Sequence, residues 1–434
     1  MIIPDNLSET LLCMRPWLIG GMAVNLMLAW RWRWRDYLLP WSLNRELQQN
    51  MDSRLETPST GVSENGLSAF ARPLPRVSVV IPCCNQADTL RKNLPAILGQ
   101  KISAFEVIIA DEASTDETRE LVNHLSSEYP NLRYTFVPES SRYVDRRKLA
   151  ITLGVRAARS PWIILTEADC QPASESWLEL MSSHFSDELD FVLGYANYVN
   201  DGSRAARSAI YERLQRQLIR YRAAVGTRWM WKRQQGVPFG RAFGGDIANM
   251  AVRKSWFLTN KGYEDSLTVS CGEDDLLVDA LSRKSRTAVE VRPEATVLQN
   301  LPSQPIMVAQ QAAHRETLSR LSRRGLMFRY RESAATWVSW FFGLLFVSYL
   351  LLRIAFVIDE SNYLLEDIPY DVIVVLLAAL CVCLPGWFMR RCVDSLGERH
   401  FCWIGMSLRA LVQPFYTLNN KMRHFKRRHD FVRR

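Results

Sequence analysis

Ile163-Ile164-Leu165-Thr166-Glu167-Ala168-Asp169-Cys170 decides how the rest of the chain is read. Apolar and β-prone residues run straight into two carboxylates spaced one residue apart. The run predicts a buried parallel strand whose C-terminal end opens into a site, and ligands of open α/β sheets bind just beyond such ends. In an extended chain Glu167 and Asp169 point the same way. Oxygens so placed suit a hard divalent cation that also holds a diphosphate. Taken alone, the stretch reads better as a strand that ends in a solvated acidic turn. The flanking sequence has to separate the two.

Outward from there, strands and helices alternate. Arg76–Pro82 reads as a short buried strand and Asp88–Leu98 as a helix with Asp88 at its N-cap. Phe105–Ala110 is a second strand running into Asp111-Glu112, and a helix follows to about Ser127. Leu132–Val137 is a third strand and Arg147–Ala158 a helix that leads into the opening stretch. This alternation predicts a parallel sheet covered by helices. Asp190–Tyr198 is expected as one further strand, Ala205 to about Trp231 as a long basic and aromatic helix, and Cys271–Asp279 as the start of a helix rich in carboxylates. Three acidic clusters thus follow strands or open a helix: Asp111-Glu112, Glu167/Asp169 and Glu273-Asp274-Asp275. No phosphate-binding Gly-Lys loop and no G-x-G-x-x-G occurs, which argues against ordinary nucleotide-triphosphate and dinucleotide folds. For Glu273–Asp275 plain helix capping is the competing reading. Arg147 and Lys148 either reach a nucleotide's phosphates or line a solvated basic helix face.

The chain has 434 residues, 48% of them hydrophobic and 23% charged, with a net charge of +9. That is ample for a core and normal for a soluble domain. The positive charge is largely a tail effect, since residues 390–434 hold 11 Lys/Arg against 3 Asp/Glu. Beside apolar stretches, such a tail is expected to meet anionic lipid rather than nucleic acid. Ala334–Leu352 and Val372–Met389 carry no charge and are long enough to span a bilayer. Positive-inside logic sets the acidic loop between them outside and residues 40–330 with the tail in the cytoplasm. Residues 11–30, followed by Arg31-Trp-Arg-Trp-Arg35, read as a further span or as an interfacial anchor helix. The nine cysteines include no C-x-x-C pair, so zinc is not expected and free thiols in a reducing compartment are. The expected division is a membrane anchor over 1–40, a linker over 41–75, a catalytic domain over 76–330, two transmembrane helices over 331–390, and an interfacial helix with a basic tail over 391–434.

Six segments, in order, resemble the membrane-bound family-2 glycosyltransferases. They are Val79–Asn85, Ile108–Thr118, Lys148–Arg159, Leu165–Cys170, Asn249–Lys254 and Gly272–Leu276. The resemblance covers about residues 76–330. It implies an α/β GT-A (Rossmann-like) mixed sheet domain with flanking transmembrane helices, in an integral membrane protein of the cell inner membrane if the source is bacterial. It implies transfer of a sugar with inversion, from a UDP- or GDP-linked donor to a glycan or lipid-linked acceptor. Carried over by position, Asp111 would bind the nucleobase with Pro82 and Asn85 beside it, and Lys148 would join the nucleotide-sugar contacts. Glu167 and Asp169 would be the acid pair, Asp169 the direct ligand of Mg²⁺ or Mn²⁺. Asp274 would be the general base, with Glu273 and Asp275 as neighbours that compete for the role. Glu167 stands where Asp is usual, and the Gln311–Arg315 region keeps little of the motif of processive members. Those departures motivate the alternative of a catalytically weak nucleotide-sugar-binding or scaffold protein.

Overall fold

The computed structural model describes residues 75–102, 104–138, 145–199, 242, 244–269, 271–283 and 286–300, with residue 317 and helical residues within 16–27 and 341–387. The long helix expected over 205–231, the linker and the basic tail lie outside the described residues. The chain divides into two units: Leu39–Leu326 with Ser395–Gly397, and Met1–Leu38 with Met327–Asp394 and Glu398–Arg434.

The first unit is built on β1 (Val77–Cys83), α1 (Ala87–Leu98), β2 (Phe105–Asp111), α2 (Thr118–Glu128), β3 (Leu132–Phe136), α3 (Arg146–Ala157) and β4 (Trp162–Leu165). Then come β5 (Cys170–Pro172), α4 (Trp177–Ser182), β6 (Phe191–Leu193), β7 (Ala196–Val199), β8 (Met250–Arg253), α5 (Lys254–Thr259), α6 (Asp275–Leu281), β9 (Thr287–Val289) and β10 (Val297–Asn300). Every residue of β1 is buried, as a strand covered on both faces requires. Its alternation sorts the core. Val77, Val79 and Ile81 join Val107 and Ile109 in one cluster with Leu90, Leu94 and Ile97 of α1. That helix buries Leu90, Leu94, Ile97 and Leu98, one stripe of a 3.6-residue period. Val80 faces the other way. A Cβ on Gly154 of α3 would lie 2.5 Å from Val80 Cγ1, so a glycine there lets α3 press onto the sheet. Each such Val or Ile contributes on the order of 1.5–3 kcal/mol by leaving water.

The main sheet has the order β3-β2-β1-β4-β8-β6-β9. Its first four strands are parallel, while β8 runs antiparallel to both β4 and β6. The sheet is therefore mixed, where the alternation of elements predicts a parallel one. The segments that follow β2 and β4 and the one that leads into α6 each bring an acid to Arg147 of α3. A second sheet, β5-β10-β7, sits beyond the end of β4. It pairs Gln299 with Cys170 and so brings Gln299 beside the acidic turn.

Three local expectations change. The strand expected over 190–198 breaks into β6 and β7, which belong to different sheets. The break falls at Gly194, whose Cα lies so close to Asn249 that a Cβ would meet its side chain at 2.4 Å. Asn249 is fully buried; its Nδ2 donates to Tyr195 O and Ala295 O, and its Oδ1 accepts from Trp177 Nε1. That side chain pins the crossing. The helix expected from Asp88 begins at Ala87, and its N-cap is Gln86 without a side-chain hydrogen bond. Asp116 instead accepts from Ala87 N and from Thr118, joining the starts of α1 and α2. Finally, β4 stops at Leu165, so Glu167 and Asp169 lie in a turn closed by Cys170 N donating to Glu167 O at 3.0 Å.

In the second unit, Met22, Tyr349 and Val374 are buried, and Tyr349 donates its hydroxyl to Asp371. Trp17, Met27, Leu344, Leu351, Ile354 and Leu376 are exposed. Among the described residues no helix is long and apolar enough to cross a membrane. Most of the two expected spans, 334–352 and 372–389, lies outside the described residues.

Candidate active site

Asp111 ends β2 and is almost fully buried. Its carboxylate accepts from Ser114 N at 3.0 Å, from the Ser114 hydroxyl, and from Tyr134 OH at 2.7 Å. Burial first, then the hydrogen bond to Asp111, pushes the Tyr134 hydroxyl up, so it stays a donor. Asn85 sits in the left-handed region with φ 52°, a conformation Asn tolerates better than most residues. Its Oδ1 accepts from Thr115 N at 2.8 Å, and its own N–H donates to Ser114 Oγ at 2.9 Å. Pro82 is buried at the end of β1, paired in register with Ala110. Pro82, Asn85 and Asp111 therefore lie around one pair of adjoining loops.

One guanidinium joins the three acidic clusters. Arg147, in the first turn of α3, donates from Nη2 to Glu167. Its Nε lies 2.7 Å from Glu273 Oε1 without the alignment of a hydrogen bond, and its Nη1 lies 3.9 Å from Glu112 Oε1. The start of α3 is firmly seated. Asp145 caps it by accepting from Lys148 N and also accepts from Cys271 N. Lys148 is a correction to the sequence reading. Its ammonium is fully buried and donates to Ser266 O, Val269 O and Cys271 O at 3.0, 2.8 and 2.9 Å. An ammonium has three N–H donors, so none is left for a phosphate. Lys148 holds the 266–271 loop against α3 instead.

The carboxylates in and near the β4–β5 turn are differently employed. Glu167 accepts from Arg147 on one oxygen and from Gln299 Nε2 at 2.7 Å on the other. Asp169 accepts from the Cys170 thiol at 3.8 Å and from its own backbone N–H. Burial first and the charge of Glu167 second push Asp169 up to about 6. Glu167, Asp169 and Cys170 bring a ligand atom each within 4.8 Å of one another, a spacing that one divalent cation would span. The donor set fits Mg²⁺ or Mn²⁺ through its carboxylates. Asp169 is the less occupied of the two carboxylates, since each Glu167 oxygen already accepts a hydrogen bond, from Arg147 or from Gln299.

The Glu273-Asp274-Asp275 cluster separates into three roles. Glu273 faces Arg147, and its backbone carbonyl accepts from the buried Tyr263 hydroxyl at 2.6 Å. Asp275 bonds the Gly245 N–H and packs against Gly244, where a Cβ would lie 2.5 Å from its Oδ1. Asp274 caps α6 through a single oxygen, which accepts from Asp275 N at 2.7 Å. Burial raises all three above the usual carboxylate range. Asp246, which caps the 247–249 turn, is pushed up to about 7 by burial and then by Asp274. Glu112 reaches about 7 by burial, against the opposing pull of Arg147. Acid is crowded here beyond what the Arg147 charge offsets.

Gln299, Tyr134 and Ser114 carry no expected role in the sequence, and Glu112 enters there only as the neighbour of Asp111. Gln299 has no local signal, because it reaches Glu167 only through the second sheet. Tyr134 and Ser114 lie in ordinary strand and turn contexts. Arg147 was legible only as one of two open readings.

The mixed α/β sheet thus brings acids together beyond its strand ends, where ligands of such sheets bind. Residues 78–254 match the family model described as Glycosyl transferase family 2. The chain is 31% identical over 147 residues to glycosyltransferase AglE of Haloferax volcanii, covering 33% of this chain and 47% of that protein. It is 24% identical over 198 residues to the probable glycosyltransferase YdaM of Bacillus subtilis, covering 45% of this chain and 44% of that one. The chain thus spans less than half the length of these curated relatives. Among solved structures it resembles the mannosyltransferase PcManGT of Pyrobaculum calidifontis in complex with GDP-Man and Mn²⁺, at 16% identity and a TM-score of 0.42, over 87% of this chain and 97% of that one.

Proposed function

We propose that the protein transfers a sugar, with inversion, from a UDP- or GDP-linked donor to a glycan or lipid-linked acceptor at a membrane surface. The observation that carries this reading is the meeting of Glu112, Glu167 and Glu273, from three separate segments of a family-2 domain, around Arg147. The nucleobase would lie against the loops shaped by Asn85 and Asp111, and the diphosphate beyond β4. Asp169 would hold Mg²⁺ or Mn²⁺, with Glu167 beside it. The cation neutralises charge that builds on the departing nucleoside diphosphate. Asp274 would accept the proton of the acceptor hydroxyl on the face opposite the leaving group. Two features favour Asp274 over its neighbours: Glu273 faces Arg147 and Asp275 is held by the Gly244–Gly245 backbone, whereas the hydrogen bonds to Asp274 come from backbone N–H groups at the start of α6. Burial raises its pKa, which brings a carboxylate nearer the strength a base needs at neutral pH.

Membrane attachment with the catalytic domain in the cytoplasm is part of the proposal. It is supported by the uncharged stretches 334–352 and 372–389, the basic tail, and the exposed Trp17, Met27, Leu344 and Leu376. The test is sugar transfer or donor hydrolysis by purified membranes across UDP- and GDP-sugars, with and without EDTA. Activity that is lost with EDTA and returns with Mn²⁺ is expected. Full activity in Asp169→Ala or Asp274→Ala would overturn the assigned roles. A second reading, a nucleotide-sugar-binding protein with little turnover, is favoured by the double occupation of Glu167 by Arg147 and Gln299. Calorimetric binding of a donor without turnover of any donor in the panel would select it.

A further inference from the structure

Arg147 stands out because its partners are the acids assigned to different tasks. Its backbone is fixed on both sides: Asp145 ties the helix start to Cys271 N, and Lys148 ties it to three carbonyls of the same loop. Only the side chain is free to choose partners. Its contacts are uneven, with a hydrogen bond to Glu167, a misaligned approach to Glu273 and a 3.9 Å separation from Glu112. A guanidinium carries five N–H donors and fits a phosphate as well as a carboxylate. Glu167, its firmest partner, lies within 4.8 Å of Asp169 and Cys170, where a cation would sit. A guanidinium and a divalent cation on the same carboxylate repel and compete for its charge, so a cation beside Asp169 weakens the hold of Arg147 on Glu167.

We propose that Arg147 is an exchangeable counter-ion. It holds Glu167 away from the metal while the site is empty, and it passes to the donor's diphosphate when metal and donor arrive. The inference rests on the functional reading above and adds a residue that both restrains metal binding and contacts the leaving group. The two roles give effects of opposite sign. Without Arg147, Glu167 is free to join Asp169, so the bare metal binds more tightly. The diphosphate loses a charged partner, so it binds less tightly. A purely structural arginine would change both in one direction or change neither.

The experiment uses the full chain in detergent, as wild type, Arg147→Gln and Arg147→Lys. Free Mn²⁺ is titrated by electron paramagnetic resonance without nucleotide, and uridine, UDP, guanosine and GDP by calorimetry with Mn²⁺ present. For Arg147→Gln the expected result is Mn²⁺ binding at least threefold tighter and diphosphate binding at least tenfold weaker, with the matching nucleoside unchanged. Arg147→Lys is expected to shift both quantities the same way by smaller factors, and it serves alone if the glutamine variant does not fold. Weakening of nucleoside and diphosphate by the same factor, or Mn²⁺ affinity that is unchanged or lower, would overturn the exchange. If the wild-type chain binds neither diphosphate, the glycosyltransferase reading itself falls and this inference with it.

Discussion

Two buried acid–arginine groups in the same domain behave in opposite ways. Glu290, just after β9, has a fully buried carboxylate that accepts from the Arg292 N–H and Nε at 2.8 and 2.9 Å, also meets Arg292 Nη2, and lies 2.8 Å from His184 Nε2. Burial opposes its charge, but the hydrogen bonds from His184 and Arg292 outweigh that and push Glu290 down to about 2. Arg292 donates its remaining bonds to Leu180 O and Ser183 Oγ, so it staples α4 to the strand end. Around Arg147 the balance is reversed. Three carboxylates share one guanidinium, and Glu112, Asp169 and Asp246 are pushed up to about 7, 6 and 7, in each case by burial first. Satisfied charge at Glu290 marks structure. Crowded, poorly offset acids beyond a strand end mark a candidate functional site.

The largest expected effect breaks the functional side. Asp274→Asn keeps the cap's size and removes the base, so turnover should fall roughly 10²–10⁴-fold. Donor binding and the thermal midpoint should barely move; a rate loss matched by loss of folded protein would reassign Asp274 to structure. The mirror experiment is Arg292→Met. Removing one partner of a buried pair costs about 3–5 kcal/mol, read by chemical denaturation. The molecules that remain folded should keep wild-type turnover. Next, Lys148→Met leaves buried carbonyl acceptors unpaired at a cost of about 1–3 kcal/mol. Diphosphate affinity per folded molecule should hold, because Lys148 spends its donors on the 266–271 loop.

The smallest effect sharpens the comparison by pH. Asp169, Asp246 and Glu112 have folded pKa values above the usual ~4 of free carboxylates. The folded form therefore binds more protons, and their contribution to stability is present below pH ~4 and lost as pH rises through 6 to 7. The metal-free thermal midpoint should drop by a few degrees between pH 5 and 8, and Mn²⁺ should restore it at pH 8. Glu290 carries the opposite sign. Its contribution is complete above pH ~4.3 and fades only as pH falls towards 2. A midpoint that is flat from pH 5 to 8 without metal would show that the acids near Arg147 are compensated after all.

The sequence alone determined the β-α alternation, the burial of β1 and β4, and the acids after β2, after β4 and at the start of α6. These features are local. A strand covered on both faces must be apolar throughout, and a site beyond it must begin where polar residues do. The tertiary structure alone decided which acids are free. Glu273, Asp274 and Asp275 are neighbours in sequence, yet one meets Arg147, one caps a helix and one is clamped by the Gly244–Gly245 backbone. Lys148 read as a phosphate ligand because its ammonium is a mobile charge on paper; in the fold three carbonyls from residues 266–271 consume it. Gln299 reaches Glu167 across 132 residues because β10 pairs with β5. Hydrogen-bond partners so distant in sequence leave no periodic trace along the chain, so only the packed sheets fix which carboxylates are engaged and by which partners.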